Sequence, residues 1–186
     1  HIMKKTLLTI SLAIMSMVAF SQASVSLGIK AGANFANTNI SGSESITALH
    51  AGAYGLFKFA NLGVQPELLF SKQGSSFSGG GEVNLNYVNI PVMVKFYLPA
   101  GLNLQAGPQF GVLLNAEDEE GKDISNALKS SDLSASLGAG RDAPFGLQFT
   151  ARYVFGLSDI NDGFDTEIKN KTFQLSIGYS LFKLGK

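Results

Sequence analysis

Alternation with a period of two is the feature that most constrains this chain. Over residues 102–114, Leu102, Leu104, Ala106, Pro108, Phe110, Val112 and Leu114 fall on one parity, while Asn103, Gln105, Gly107, Gln109 and Gly111 fall on the other. Successive side chains of a strand point to opposite faces, so this segment reads as a strand with one apolar and one polar face. The pattern returns over 147–157 and 173–181, and in weaker form over 25–35, 49–59, 62–72, 83–98 and 133–140. No stretch after residue 24 holds a helical period. Eight strands are therefore expected. In the fourth, Val83, Leu85 and Tyr87 alternate on one parity and Val88, Ile90, Val92, Val94 and Phe96 on the other. A one-residue slip turns an apolar set to the wrong face, so a bulge is expected near Tyr87–Pro91.

The polar parity is rich in Gly, Ser, Asn and Gln, too small and polar for a soluble core or an apolar ligand cavity. The apolar parity runs for six or seven residues per strand, which suits the roughly 9–11-residue strands that cross a bilayer. The connections support this. Those near 36–48, 73–82, 115–132 and 158–171 are long, and those near Ala60-Asn61, Pro99-Ala100 and Arg141–Phe145 are short. Membrane barrels have short periplasmic turns and longer outer loops. A lipocalin-like soluble barrel alternates equally well but has no reason to sort its loops by length. The expectation is all-β: an eight-stranded antiparallel up-and-down transmembrane β-barrel over residues 24–186.

Residues 1–23 read as an address. Lys4-Lys5 precede the apolar run Leu7–Phe20, and small residues follow at Ser21-Gln22-Ala23. This is the layout of a cleaved secretory signal peptide, and the run is shorter than the roughly 20 residues of a membrane-spanning helix. His1-Ile2 stand before Met3 and read as a cloning remnant. Export from the cytoplasm and residence in the bacterial outer membrane follow as expectations.

Composition excludes several classes. Only 15% of residues are charged, well below the roughly 25% of soluble domains. The chain has no Cys, so disulfide and thiolate chemistry are absent. Fourteen Lys+Arg balance fourteen Asp+Glu, which gives no pull toward nucleic acid. That neutrality hides a segregation, because the four long connections hold twelve acids, from Glu44 to Glu167, against Lys122, Lys129, Lys169 and Lys171.

Within the strands, Lys30, Lys58 and Arg152 take the polar parity, with Lys95 joining them if the bulge is real, and Glu67 is the acid among them. Charges on a lipid-facing position are costly at mid-membrane, so this set is expected to face the lumen together with His50. Eight strands close around a narrow interior that side chains fill. A lumen plug is the favoured reading, with Glu67 pairing to one or two cations and Gln65, Gln105 and Gln148 completing the hydrogen bonds. An anion-attracting path is the alternative. Glycines on the polar face, as in Ser26-Leu27-Gly28, Ser136-Leu137-Gly138 and Ser176-Ile177-Gly178, would make room for larger neighbours.

Catalytic signals are few. His50 is the lone His after residue 24, and no Gly-x-Ser-x-Gly elbow occurs. The expected role is non-catalytic, structural or in surface interaction, with a small anion-preferring channel or an accessory of an envelope secretion or assembly complex as the alternative. His50 lies near the expected outer rim, which keeps a lipid-modifying enzyme as a third reading, but no catalytic residue is assigned. Asp159-Ile-Asn161-Asp162-Gly163 is similar to a calcium loop, yet its Gly comes one position early. A solvated turn is favoured. Low-affinity cation binding by Asp159, Asn161, Asp162 and Asp165 remains beside it. No cofactor is expected. The expected partners are outer-membrane lipid and lipopolysaccharide, whose phosphate Lys72 is placed to meet. The barrel-assembly machinery and an envelope protein bound through the loops complete the set.

Three segments carry a family resemblance: Gly28-Ile-Lys30-Ala-Gly32-Ala-Asn34-Phe35, Gln65-Pro66-Glu67-Leu68-Leu69-Phe70-Ser71-Lys72-Gln73-Gly74 and Tyr87-Val-Asn-Ile90-Pro91-Val-Met-Val-Lys95-Phe96. Together they resemble the first, third and fourth strands of the PorT-like outer-membrane β-barrel family of Bacteroidetes. The resemblance implies an eight-stranded outer-membrane barrel without an assigned activity; a namesake member is tied to protein secretion across the outer membrane. Asn89 stands where the family often has Glu. The chain also continues past Phe182 to Lys186 instead of ending on an aromatic residue.

Overall fold

The computed structural model describes residues 23–37, 46–77, 81–117, 131–157 and 171–185. Eight strands follow one another: β1 Ala23–Asn37, β2 Ile46–Phe59, β3 Leu62–Phe77, β4 Gly81–Tyr97, β5 Leu102–Glu117, β6 Ser131–Asp142, β7 Leu147–Gly156 and β8 Lys171–Leu184. Each pairs antiparallel with its neighbours in sequence, and β1 pairs with β8 to close the barrel. This is the expected up-and-down architecture. Of the segment expected to be a signal peptide, residues 1–22 lie outside the described residues and Ala23 begins β1.

Burial is inverted relative to a water-soluble protein. Lys30, Gln65, Glu67, Lys95, Asn103, Gln105, Gln148 and Arg152 are buried, whereas Leu27, Ile29, Phe70, Phe96, Leu104, Leu137 and Ile177 are exposed. Strand alternation sends one set into the lumen and the other to the wall. An apolar outer wall is stable only against hydrocarbon, and closure leaves no sheet edge unpaired there.

Short turns join the strands at the end that carries Ala23 and Leu184. Ala60-Asn61 connects β2 to β3, a 3-10 turn at Pro99–Gly101 leads into β5, and 143–146 joins β6 to β7. Ala60 adopts φ 50° and Ala100 φ 63°, left-handed values that crowd a Cβ against the following carbonyl. We call this the turn end and the opposite one the loop end.

Three expectations change. The second long connection shrinks to 78–80, because β3 and β4 stay in register up to Phe77 opposite Gly81. Backbone pairing continues there through Ser and Gly without apolar alternation, so hydropathy alone did not reveal it. The strict rhythm of long and short connections therefore fails at that hairpin, and Glu82, like Glu117 and Asp132, lies in a strand. Secondly, the irregularity of β4 lies between Asn86 and Tyr87, and its extra residue belongs to β5. Asn86 faces Asn115 and Tyr87 faces Leu113, which leaves Leu114 unmatched, while the β3–β4 register runs through unbroken. Thirdly, β6 extends to Asp142, so Arg141 and Asp142 are strand residues and not part of a turn.

Candidate functional site

The site is the lumen. Glu67 projects inward from β3 and is the hub of a first ion-pair centre. Its Oε1 accepts from Lys30 Nζ at 2.7 Å and from Gln65 Nε2 at 2.7 Å. Arg152 donates in two-pronged fashion, Nη1 to Oε2 at 2.8 Å and Nη2 to Oε1 at 2.5 Å. All three charged side chains are shut off from solvent. A buried carboxylate persists as an ion only when such donors replace its hydration, and the planar fork of Arg matches it best.

A second centre lies nearer the turn end. Asp142 at the close of β6 accepts from Lys95 Nζ at 3.0 and 2.9 Å, from Tyr97 Oη at 2.7 Å and from Asn103 Nδ2 at 3.1 Å. Two glutamines tie the centres together. Gln65 donates to Glu67 and accepts from Lys95 at 3.1 Å. Gln105 accepts from Arg152 Nε at 2.8 Å and donates to Asn103 at 3.0 Å. The result is one connected network from Lys30 to Asp142, with Leu69, Met93 and Val154 adding apolar filling.

Glycines make these reaches possible. Lys30 stands opposite Gly52 of β2, so no side chain separates it from β3. Arg152 crosses Gly138, where an added Cβ would lie 2.8 Å from its Cγ, to reach Gln105 on the strand beyond. On the closing seam the device occurs twice. His50 of β2 crosses Gly32 of β1 and meets Ser176 of β8, Nε2 to Oγ 2.9 Å. Tyr54 crosses Gly28 and meets Ser180, oxygen to oxygen 2.9 Å. A Cβ at Gly32 would lie 2.7 Å from His50 Cε1, and one at Gly28 2.5 Å from Tyr54 Cζ.

Of the six residues expected in the lumen, Lys30, Glu67 and Arg152 form the first centre and Lys95 belongs to the second. His50 is a seam residue, buried at 3% exposure and held by Ser176. Lys58 is half-buried and sets its Nζ 4.0 Å from the centre of the Tyr97 ring; among the described residues it makes no carboxylate pair. The loop candidates Asp159, Asn161, Asp162 and Asp165 lie outside the described residues. Asp142 was missed as a lumen residue because it fell within the turn expected over 141–145, although extending the inward parity of Ser134 and Ser136 by three steps reaches it. Tyr54 and Tyr97 were missed because an inward aromatic breaks the small-and-polar rule of that face.

Residues 20–162 match the family model described as an outer membrane protein beta-barrel domain. No curated relative matches the sequence. Among solved structures, the chain is similar to Ail, the attachment invasion locus protein of Yersinia pestis, crystallised with the heparin analogue sucrose octasulfate. The two share 16% identity over 88% of this chain and 99% of Ail, at a TM-score of 0.52. It is also similar to Neisserial surface protein A, with 9% identity over 84% of this chain and 97% of the other, at a TM-score of 0.55. At these identities the likeness is one of fold, and it matches the closed eight-stranded barrel described above. With more than half its length covered by the family model, the chain belongs to the outer membrane protein β-barrel domain family.

Proposed function

We propose that this outer-membrane barrel is a sealed, non-catalytic scaffold whose function lies at its outer surface, in envelope structure or in binding a partner through its long loops. The connected network from Lys30 to Asp142 carries this reading, since it fills the bore with paired charges instead of leaving a water column. His50, the one candidate base, is buried inside the barrel with Nε2 bonded to Ser176, away from the lipid a modifying enzyme must reach, which favours a structural role over lipid chemistry. The acids of the long connections favour a cationic partner, or one bridged by divalent cations, over a sulfated ligand of the kind seen with Ail. The strand motifs around Lys30, Glu67 and Lys95 favour the PorT-like branch of the family.

Complementation tests the proposal. In a strain lacking the protein, any envelope defect should be restored by a His50→Ala chain and not by one with the loop acids changed to Asn and Gln, both verified as folded by heat-modifiable mobility. Restoration by the loop variant and failure of folded His50→Ala would overturn it. A second reading, a small anion-preferring channel, rests on Lys58, the inward cation without a carboxylate among the described residues.

A further inference from the structure

Among the residues whose side chains are described, the outward strand faces are largely apolar, and Arg141 is a cation there that the lumen network does not explain. Arg141 sits one residue before the end of β6, on the parity of Leu137 and Ala139, and is exposed. Its register partners are Leu102 on β5 and Phe149 on β7, both exposed and apolar. It makes no side-chain hydrogen bond or ion pair among the described residues, whereas Lys30, Lys95 and Arg152 each reach a carboxylate. A guanidinium has five donors, and at the rim of a membrane wall its available acceptors are water and lipid phosphate.

The wall beside Arg141 is notched. One register step toward the loop end, Ala139 pairs with Ala151, between Leu104 and Leu175. The next step restores bulk with Leu137 opposite Tyr153. Arg141, Leu102, Ala139, Phe149, Ala151 and Ile177 form one part of the lining of a larger hollow that continues over the other strands. Around Ala139 and Ala151 the outward neighbours Leu102, Leu104, Phe149, Leu175 and Ile177 are apolar, and Arg141 stands at one end of them. That end is the turn end, which in an outer-membrane barrel faces the periplasm.

We propose that this notch binds a phospholipid of the periplasmic leaflet, with an anionic headgroup held by Arg141 and an acyl chain lying over Ala139 and Ala151. Charge complementarity selects the occupant. The Arg fork takes two phosphate oxygens at once, which a compact ammonium group does not, and a negatively charged headgroup adds attraction over a zwitterionic one. The apolar floor continues from the charge in the direction an acyl chain takes into the bilayer. The proposal rests on the membrane barrel and is independent of what the loops bind.

The chain has no Trp, so one introduced Trp reports on its own surroundings. Phe149→Trp places the reporter at the notch. Phe57→Trp places one on the outer face of β2, near the same end and among apolar partners Val25 and Val64. Each full-length barrel is folded into phosphatidylcholine vesicles with a rising fraction of brominated phosphatidylglycerol, and quenching is followed. The Phe149→Trp chain should reach half-quenching at a lipid fraction lower by about fivefold than the Phe57→Trp chain, a modest charge-assisted preference. Adding Arg141→Gln should erase the difference, and adding Ala151→Leu, which fills the notch and keeps the charge, should reduce it. Lys183→Gln, which removes another exposed cation near the end of β8, should leave it intact. Heat-modifiable mobility checks that each variant is folded. Equal quenching at both sites, a preference that survives Arg141→Gln, or one lost on Lys183→Gln would overturn the proposal.

Discussion

Arg152 and Glu67 meet across the full width of the bore. They sit on β7 and β3, four strands apart whichever way the eight-stranded barrel is followed, so the pair is a diametric strut. Its two parallel hydrogen bonds fix both side chains, and Lys30 and Gln65 occupy Oε1 as well. A strut of this kind crosses the lumen and divides it into halves.

Removing the hub should be far worse than removing the whole centre. Glu67→Gln strands Lys30 and Arg152 as buried cations, and breaking a buried pair from one side costs about 3–5 kcal/mol. The triple change Lys30→Met, Glu67→Leu and Arg152→Met removes every charge together and should recover most of that loss, because apolar packing of similar volume often replaces buried ions without penalty. Denaturant unfolding from vesicles, read by gel mobility, measures both. A triple variant weaker than Glu67→Gln would contradict the pairing logic.

The seam clasps should be energetically separate from the ion-pair centres. Ser180→Ala leaves Tyr54 Oη buried without its partner and should destabilise by about 1–3 kcal/mol, whereas Tyr54→Phe with Ser180→Ala should be milder. A double-mutant cycle on this pair should give coupling of about 1 kcal/mol. The same cycle between Tyr54 and Lys95 should give coupling below about 0.5 kcal/mol. Comparable coupling in both cycles would show that the clasp is not a distinct unit.

Ala60 offers a stabilising change. At φ 50° its Cβ is strained by about 1–2 kcal/mol, and glycine removes that strain while giving back about 0.4–1 kcal/mol through the freer unfolded chain. Ala60→Gly should therefore raise stability by about 0.5–1 kcal/mol in the same unfolding assay. A lower midpoint with an unchanged slope would refute the strain argument.

Much of the barrel was legible because membrane strands display both faces in one string. Leu147 to Leu157 needed no structure to be placed, since lipid on one side and a narrow lumen on the other enforce alternation at every step. Glu67 with Lys30 and Arg152 followed from parity and the scarcity of acids among the strands. The hairpin around Phe77 and Gly81 was not legible, because beyond the bilayer the backbone pairs without asking for apolar side chains. Asp142 was hidden for a related reason: a charged residue beside Pro144 and Gly146 looks like a turn, and what draws it inward is Lys95 on a strand 47 positions away. The crossings over Gly28 and Gly32 were foreshadowed by inward glycines, but which side chain lies over each is set by register, and hydropathy carries no register.

The sealed lumen is tested most directly by conductance. The purified, folded barrel in a planar bilayer should show no resolvable steps in chloride salts. The Glu67→Ala/Arg152→Ala/Asp142→Ala variant, with the strut and the second hub removed, should open measurable conductance if it folds by the mobility assay. Stable, anion-selective steps from the unchanged protein, reduced by Lys58→Ala, would contradict the sealed scaffold and establish the channel.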